Sequence, residues 1–159
     1  MTDFEDCLKK RGLIQFTAAG PDAVANELRA ATEDLDDTLA MLDQERWKRA
    51  TITAYYAMFH SARALMLSQG YAEKSHYCLL VGFREIFGAT EQGARLALAI
   101  ERARILREKA DYESDFDEES ARSSAVVAEQ FVTFAKAELG LSASGLTSIV
   151  ALGVTCARS

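Results

Sequence analysis

One proline and nine glycines in 159 residues leave little turn punctuation. The frequent turns of an all-β sandwich or barrel are therefore missing. Three cysteines, Cys7, Cys78 and Cys156, stand far apart without a Cys-x-x-Cys pair. That spacing indicates neither a disulfide framework nor a cysteine zinc site. No uninterrupted apolar run approaches the ~18 residues needed to cross a bilayer. Met1 to Gly12 is charged where a signal peptide has its apolar core. The expectation is a reduced, cytoplasmic protein with no membrane partner. Basic charge is also scarce: 18 Lys and Arg against 24 Asp and Glu give a net charge of −6. Taken whole, this opposes nucleic-acid binding by bulk positive charge. There is no Gly-rich phosphate loop and no Ser or Cys nucleophile setting, so neither a cofactor nor a metal is expected.

What is present is helical periodicity in a chain of one-domain size. After Gly20-Pro21-Asp22, Val24, Leu28, Ala31, Leu35, Leu39 and Leu42 recur at helical spacing to about Asp43, opposite an acidic face. From about Glu45 to Gln69 two adjacent stripes run along one helix. Trp47, Ala50, Ala54, Met58, Ala62 and Leu65 form one; Ile52, Tyr55, Tyr56, Phe59 and Met66 form the other. An arc that wide predicts the central helix, stopped by Gly70. Further helices are predicted over about Ser75–Phe87, Glu91–Lys109 and Glu118–Leu139, the last with Asp117 as N-cap. The fold class is all-α: an up-and-down bundle of four to five antiparallel helices over residues 1–140. Residues 141–159 form a tail, read as a short helix or a disordered end.

The net charge is unevenly divided. Residues 22–45 carry −7, residues 46–110 carry +6 and residues 111–139 carry −6. A phosphate-bearing partner is therefore expected at the middle of the chain. Simple pairing of Arg46, Lys48, Arg49, Arg95, Arg102 and Arg104 with the acidic helices is the competing explanation. The acids from Asp111 to Glu119 lack the glycine and spacing of a calcium loop and read as a solvated helix entry.

Trp47-Lys48-Arg49-Ala50-Thr51-Ile52 is followed by Ala54-Tyr55-Tyr56-Ala57-Met58-Phe59-His60-Ser61-Ala62-Arg63-Ala64-Leu65. Gly70-Tyr71, Glu73-Lys74-Ser75-His76-Tyr77-Cys78 and Leu106-Arg107-Glu108-Lys109-Ala110-Asp111-Tyr112 come after it. In order and spacing these blocks, within about Phe4 to Leu139, resemble the HEPN family (higher eukaryotes and prokaryotes nucleotide-binding). The resemblance implies a small helical bundle, a homodimer, and a nucleotide- or RNA-related accessory or toxin-like role. The implied partner is a minimal nucleotidyltransferase. It also implies, for ribonuclease members, an arginine four to six residues before a histidine. His60 and His76, the only histidines, lack an arginine at those distances, and the reading leans away from an enzyme.

Two site readings follow. A metal-independent endoribonuclease would use His60, Arg63 and His76, since guanidinium steadies phosphate charge while imidazole moves a proton. A nucleotide or phosphate site would use Tyr56, Lys74, His76 and Arg107. Structural alternatives stand beside each. His60 satisfies a core hydrogen bond, Ser75 caps a helix, and Arg107 pairs with Asp111 four residues on. Tyr112 packs against the core, and of Tyr55 and Tyr56 at most one lines a pocket. A third reading is a non-catalytic dimerisation module.

Overall fold

The computed structural model describes residues 1–17 and 19–141. The expected tail lies outside the described residues except for Leu141. Helix α1, Asp3–Lys9, opens the chain. Thr2 caps it by accepting from the Glu5 N–H at 3.1 Å, while Glu5 accepts the Thr2 N–H at 2.7 Å. Strand β1, Leu13–Gln15, pairs antiparallel with β2, Tyr71–Glu73, setting Leu13 against Glu73. The long helices are α2, Pro21–Asp43, and α3, Trp47–Ser68; α4, His76–Phe87, follows β2. Helix α5, Glu91–Glu108, widens into a π-helical turn over Lys109–Glu113 before α6, Glu118–Glu138.

The all-α expectation holds, with α1, the strand pair and the π turn added to the helices read from periodicity. Helix α3 is the central one and packs against α2, α4, α5 and α6. Its alanines at positions 50, 54, 57, 62 and 64 are fully buried, so neighbouring backbones approach closely. Met58, Leu65, Phe83 and Phe131 fill the space between. Asp117 caps α6 by accepting from the Ser120 N–H at 2.7 Å, as the sequence predicts.

Two expectations fail. Leu39 is not a core residue; it is 44% exposed. The neighbouring Thr38 is buried instead, its hydroxyl bonded to the Asp34 carbonyl and to Thr53 Oγ1. A threonine that satisfies its own hydroxyl fits under α3 where a periodicity count expects leucine. Secondly, Cys7 and Cys78 are joined in a disulfide, so the reduced state does not hold for this pair. The β1–β2 ladder lays α1 against α4 and closes 71 residues of sequence to a Cα–Cα distance of 5.7 Å. Gly12 permits the approach, because a Cβ there would collide with Cys78 Sγ. Among the described residues no helix is long and apolar enough to cross a membrane.

Candidate functional site

Where α3, the start of α4 and the end of α5 meet, aromatic rings and cations form one cluster. Ser75 caps α4 by accepting from the Cys78 N–H at 3.1 Å, which sets His76 as the first helical residue. The imidazole stacks on Phe59 with ring centroids 4.4 Å apart, and its Nδ1 lies 2.7 Å from the Tyr55 hydroxyl. From α5, Arg107 places its guanidinium 5.1 Å from the Tyr55 ring centre and 6.0 Å from that of Tyr56. Arg107 is only 9% exposed, and its Nε has no hydrogen-bond partner among the described residues. The buried Nε of Arg104 is equally unpartnered.

Burial raises the Tyr55 hydroxyl to about 12, against a smaller pull downward from Arg107. It therefore stays protonated at neutral pH, and the direction of its hydrogen bond with His76 Nδ1 follows the imidazole's tautomer. Burial, then repulsion from Arg107 and Arg104, lowers His76 below its ordinary 6.5. The result is a neutral imidazole beside a buried, uncompensated cation.

The other histidine is committed elsewhere. His60 Nδ1 lies 2.7 Å from Glu27 Oε2, and its Nε2 is 3.8 Å from Asp34. Arg63 reaches Glu27 at 3.3 Å and, through Nε, Glu73 at 2.9 Å, the latter without hydrogen-bond alignment. Burial raises both Glu73 and Asp34; Arg63 opposes it at Glu73 and His60 at Asp34. This network joins α2, α3 and β2 through carboxylates. His60 touches the cluster only through rings, with Phe59 at 5.4 Å and Tyr56 at 6.4 Å.

Comparison with known proteins fits this architecture. The model of the HEPN domain matches residues 25–139, from α2 through α6. The chain belongs to the HEPN-domain family. Similar proteins include "Putative toxin MJ0605" of Methanocaldococcus jannaschii, 34% identical over 66% of this chain and 80% of that protein. A "UPF0332 protein" of Archaeoglobus fulgidus is 32% identical over 57% of this chain and 73% of its own length. The crystal structure of TT1696 from Thermus thermophilus shares the fold with a TM-score of 0.58 at 17% identity. It covers 71% of this chain and 95% of that one.

Within this HEPN domain, the structure brings Tyr56, His76 and Arg107 together and separates Arg63 and Lys74 from them. Lys74 is exposed, and its side chain makes no hydrogen bond or ion pair among the described residues. The expected Arg107–Asp111 pair does not form. Arg107 turns inward onto Tyr55, and the π turn carries exposed Asp111 out of helical register. Tyr112 is 77% exposed on that turn rather than packed. Both Tyr55 and Tyr56 face Arg107, their rings 5.3 Å apart, where only one was expected to line a pocket. Arg104 escaped the sequence reading of the site; its spacing of three from Arg107 on α5 was the available signal. Of the cations expected to pair with the acidic helices, none does so among the described residues; Arg104 pairs instead with Glu108 of its own helix. No group of three metal-ligating side chains occurs among the described residues.

Proposed function

We propose that this HEPN-domain protein is a toxin-like component that binds the phosphate of a nucleotide or RNA at the Tyr55–Tyr56–His76–Arg107 cluster. The observation that carries the reading is Arg107: a nine-tenths buried residue whose guanidinium has an unpartnered Nε and no carboxylate counter-ion among the described residues. Burying a charge is costly unless something pairs with it. A phosphate supplies that pairing in the bidentate geometry guanidinium favours. In the tautomer with the proton on Nε2, His76 adds a neutral donor, and half-buried Tyr56 presents an aromatic face for a base. The relative named as a toxin supports the toxin-like role, and family membership supports a minimal nucleotidyltransferase as partner and a homodimeric state.

Isothermal titration with ATP and with a short single-stranded RNA tests the site. Binding should weaken by about tenfold or more in Arg107→Met, a loss of about 1.4 kcal/mol. No heat with either ligand in the wild type would overturn the proposal. Co-purification with a minimal nucleotidyltransferase tests the partnership.

A second reading, a metal-independent endoribonuclease, is favoured by one feature: the lowered His76, which is neutral and thus able to accept a proton. It requires the tautomer with Nε2 free, in which Nδ1–H donates to Tyr55. His60 and Arg63 lie against the carboxylates of Glu27 and Glu73, which supports resting this reading on His76 with Arg104 and Arg107. RNA cleavage in EDTA that disappears in His76→Ala and persists in His60→Ala would support it.

A further inference from the structure

The outer face of α5 carries a second pattern. Glu91, Arg95, Leu98, Arg102, Ile105 and Lys109 follow one another at alternating spacings of four and three, and all six are exposed. Leu98 is 56% and Ile105 48% exposed. This alternation is the seam spacing of helices that pack side by side, with Leu98 and Ile105 at one core position and basic residues at the other. Beside the seam, α5 and α6 leave a groove of about 190 Å³ floored by Met58, Ala99, Ala103, Leu106 and Val127. Among the described residues, the charged ones lining the groove and its continuation are Arg95 and Arg102, with no acid among them. Neither arginine makes an ion pair among the described residues, whereas Arg84, Arg104 and Arg122 all do.

We propose that this face docks an acidic amphipathic helix of a partner protein. Apolar side chains of that helix seat against Leu98, Ile105 and the groove. Its carboxylates, seven residues apart, meet Arg95 and Arg102, which stand about 10 Å apart along α5. Charge selects this occupant. A parallel pairing with a second copy would oppose arginine to arginine at the seam, which is disfavoured. Docking the acidic α2 of another copy would join unlike surfaces, and such a contact does not close on itself unless a ring forms. Residues 142–159 contain no aspartate or glutamate. RNA would look for stacking faces, and no aromatic side chain lines the groove. The surface is independent of the proposed phosphate site, because Arg104 and Arg107 belong to the opposite side of α5.

The test uses the full chain and two synthetic helices of about three heptads. Both carry leucine at one seam position; one has glutamate and the other lysine at the second. Fluorescence anisotropy should show saturable binding of the glutamate peptide and at least about tenfold weaker binding of the lysine peptide. The Arg95→Glu/Arg102→Glu double variant should invert that preference. Leu98→Ala/Ile105→Ala should weaken both peptides, and Arg107→Met should change neither. All four surface side chains are exposed, so circular dichroism should be unaltered. No binding, equal binding of the two peptides, or a preference untouched by charge reversal overturns the proposal. So does self-association or RNA binding that the double reversal abolishes while peptide binding is absent.

Discussion

The Tyr55 hydroxyl lies 2.7 Å from His76 Nδ1, a contact between the middle of the central helix and the first residue of α4. It couples the imidazole's tautomer to the tyrosine hydroxyl while Phe59 holds the ring plane. Tyr55→Phe keeps the ring in the core and removes only the hydroxyl. The expected cost in stability is about 1 kcal/mol, the usual net worth of one hydrogen bond. Loss of that coupling should weaken nucleotide or RNA binding more than it weakens the fold. Titration alongside urea denaturation separates the two effects. A variant with wild-type affinity would show that the hydroxyl serves packing alone.

The lowered His76 sets a pH dependence. Its ordinary value is 6.5 and the folded value lies below that. Between the two, the unfolded chain binds more protons than the folded one, so stability rises with pH there. The contribution is complete above 6.5 and is lost as pH falls through the folded value. His76→Gln should remove this part of the acid arm. The difference between wild type and variant in urea midpoint, measured from pH 7 to 5, should shrink steadily on acidification.

Arg107 offers the sharpest separation of stability from function. Replacing it with methionine loses about 1 kcal/mol or so of attraction to the two tyrosine rings. It also removes a buried charge that no carboxylate among the described residues neutralises, and relief of that desolvation is worth as much or more. Arg107→Met should therefore be as stable as wild type or more so, while ligand binding falls. A markedly destabilised variant would mean that the guanidinium is structural and not held ready for an anion.

The disulfide between Cys7 and Cys78 encloses 71 residues of sequence separation. A loop of that size reduces unfolded-state entropy by an amount worth about 4 kcal/mol as an upper figure. Cys7→Ser should lower the thermal midpoint and let protease cleave near Gly12 at low concentration. Dithiothreitol should do the same to wild type and nothing further to the variant. Equal midpoints for all three would assign no stabilising role to the bond.

What periodicity could reveal, it did: the long helices from Pro21 to Glu138 follow apolar spacing, and Gly70 and Asp117 mark an end and a start. The missing pieces share one physical cause. Helix α1 spans seven residues, too few for a repeating stripe. The strands of three residues are specified by each other across the chain and not by local pattern. The Cys7–Cys78 bond depends on that same pairing. In the site, the expected set is Tyr56, Lys74, His76 and Arg107, of which Tyr56, His76 and Arg107 converge and Lys74 does not. The role of Arg107 was nevertheless misjudged, since the π turn after Glu108 cancels the four-residue spacing to Asp111. His60 and Arg63 were legible as neighbours on α3. Their carboxylate partners on α2 and β2 become visible only when the helices are packed.

Those carboxylates yield a last prediction, which bears on whether Arg63 acts on a substrate. The Glu73 side chain is 7% exposed, and Arg63 is its cation. Arg63→Met leaves that carboxylate buried and unpaired, which should cost about 2 kcal/mol at pH 7, reduced from the fully buried case because water reaches Arg63. Glu73 is already raised above its ordinary 4.5, and losing Arg63 raises it further. An acid with a raised folded value contributes full stability below its unfolded value and loses it as pH rises through the folded one. The defect of Arg63→Met should therefore shrink as pH falls toward 4.5. Adding Glu73→Gln should recover most of the loss at pH 7, because a neutral amide needs no counter-charge. Nucleotide or RNA affinity should match wild type in both variants wherever they are folded. A selective loss of affinity without the stability defect would return Arg63 to the ligand site.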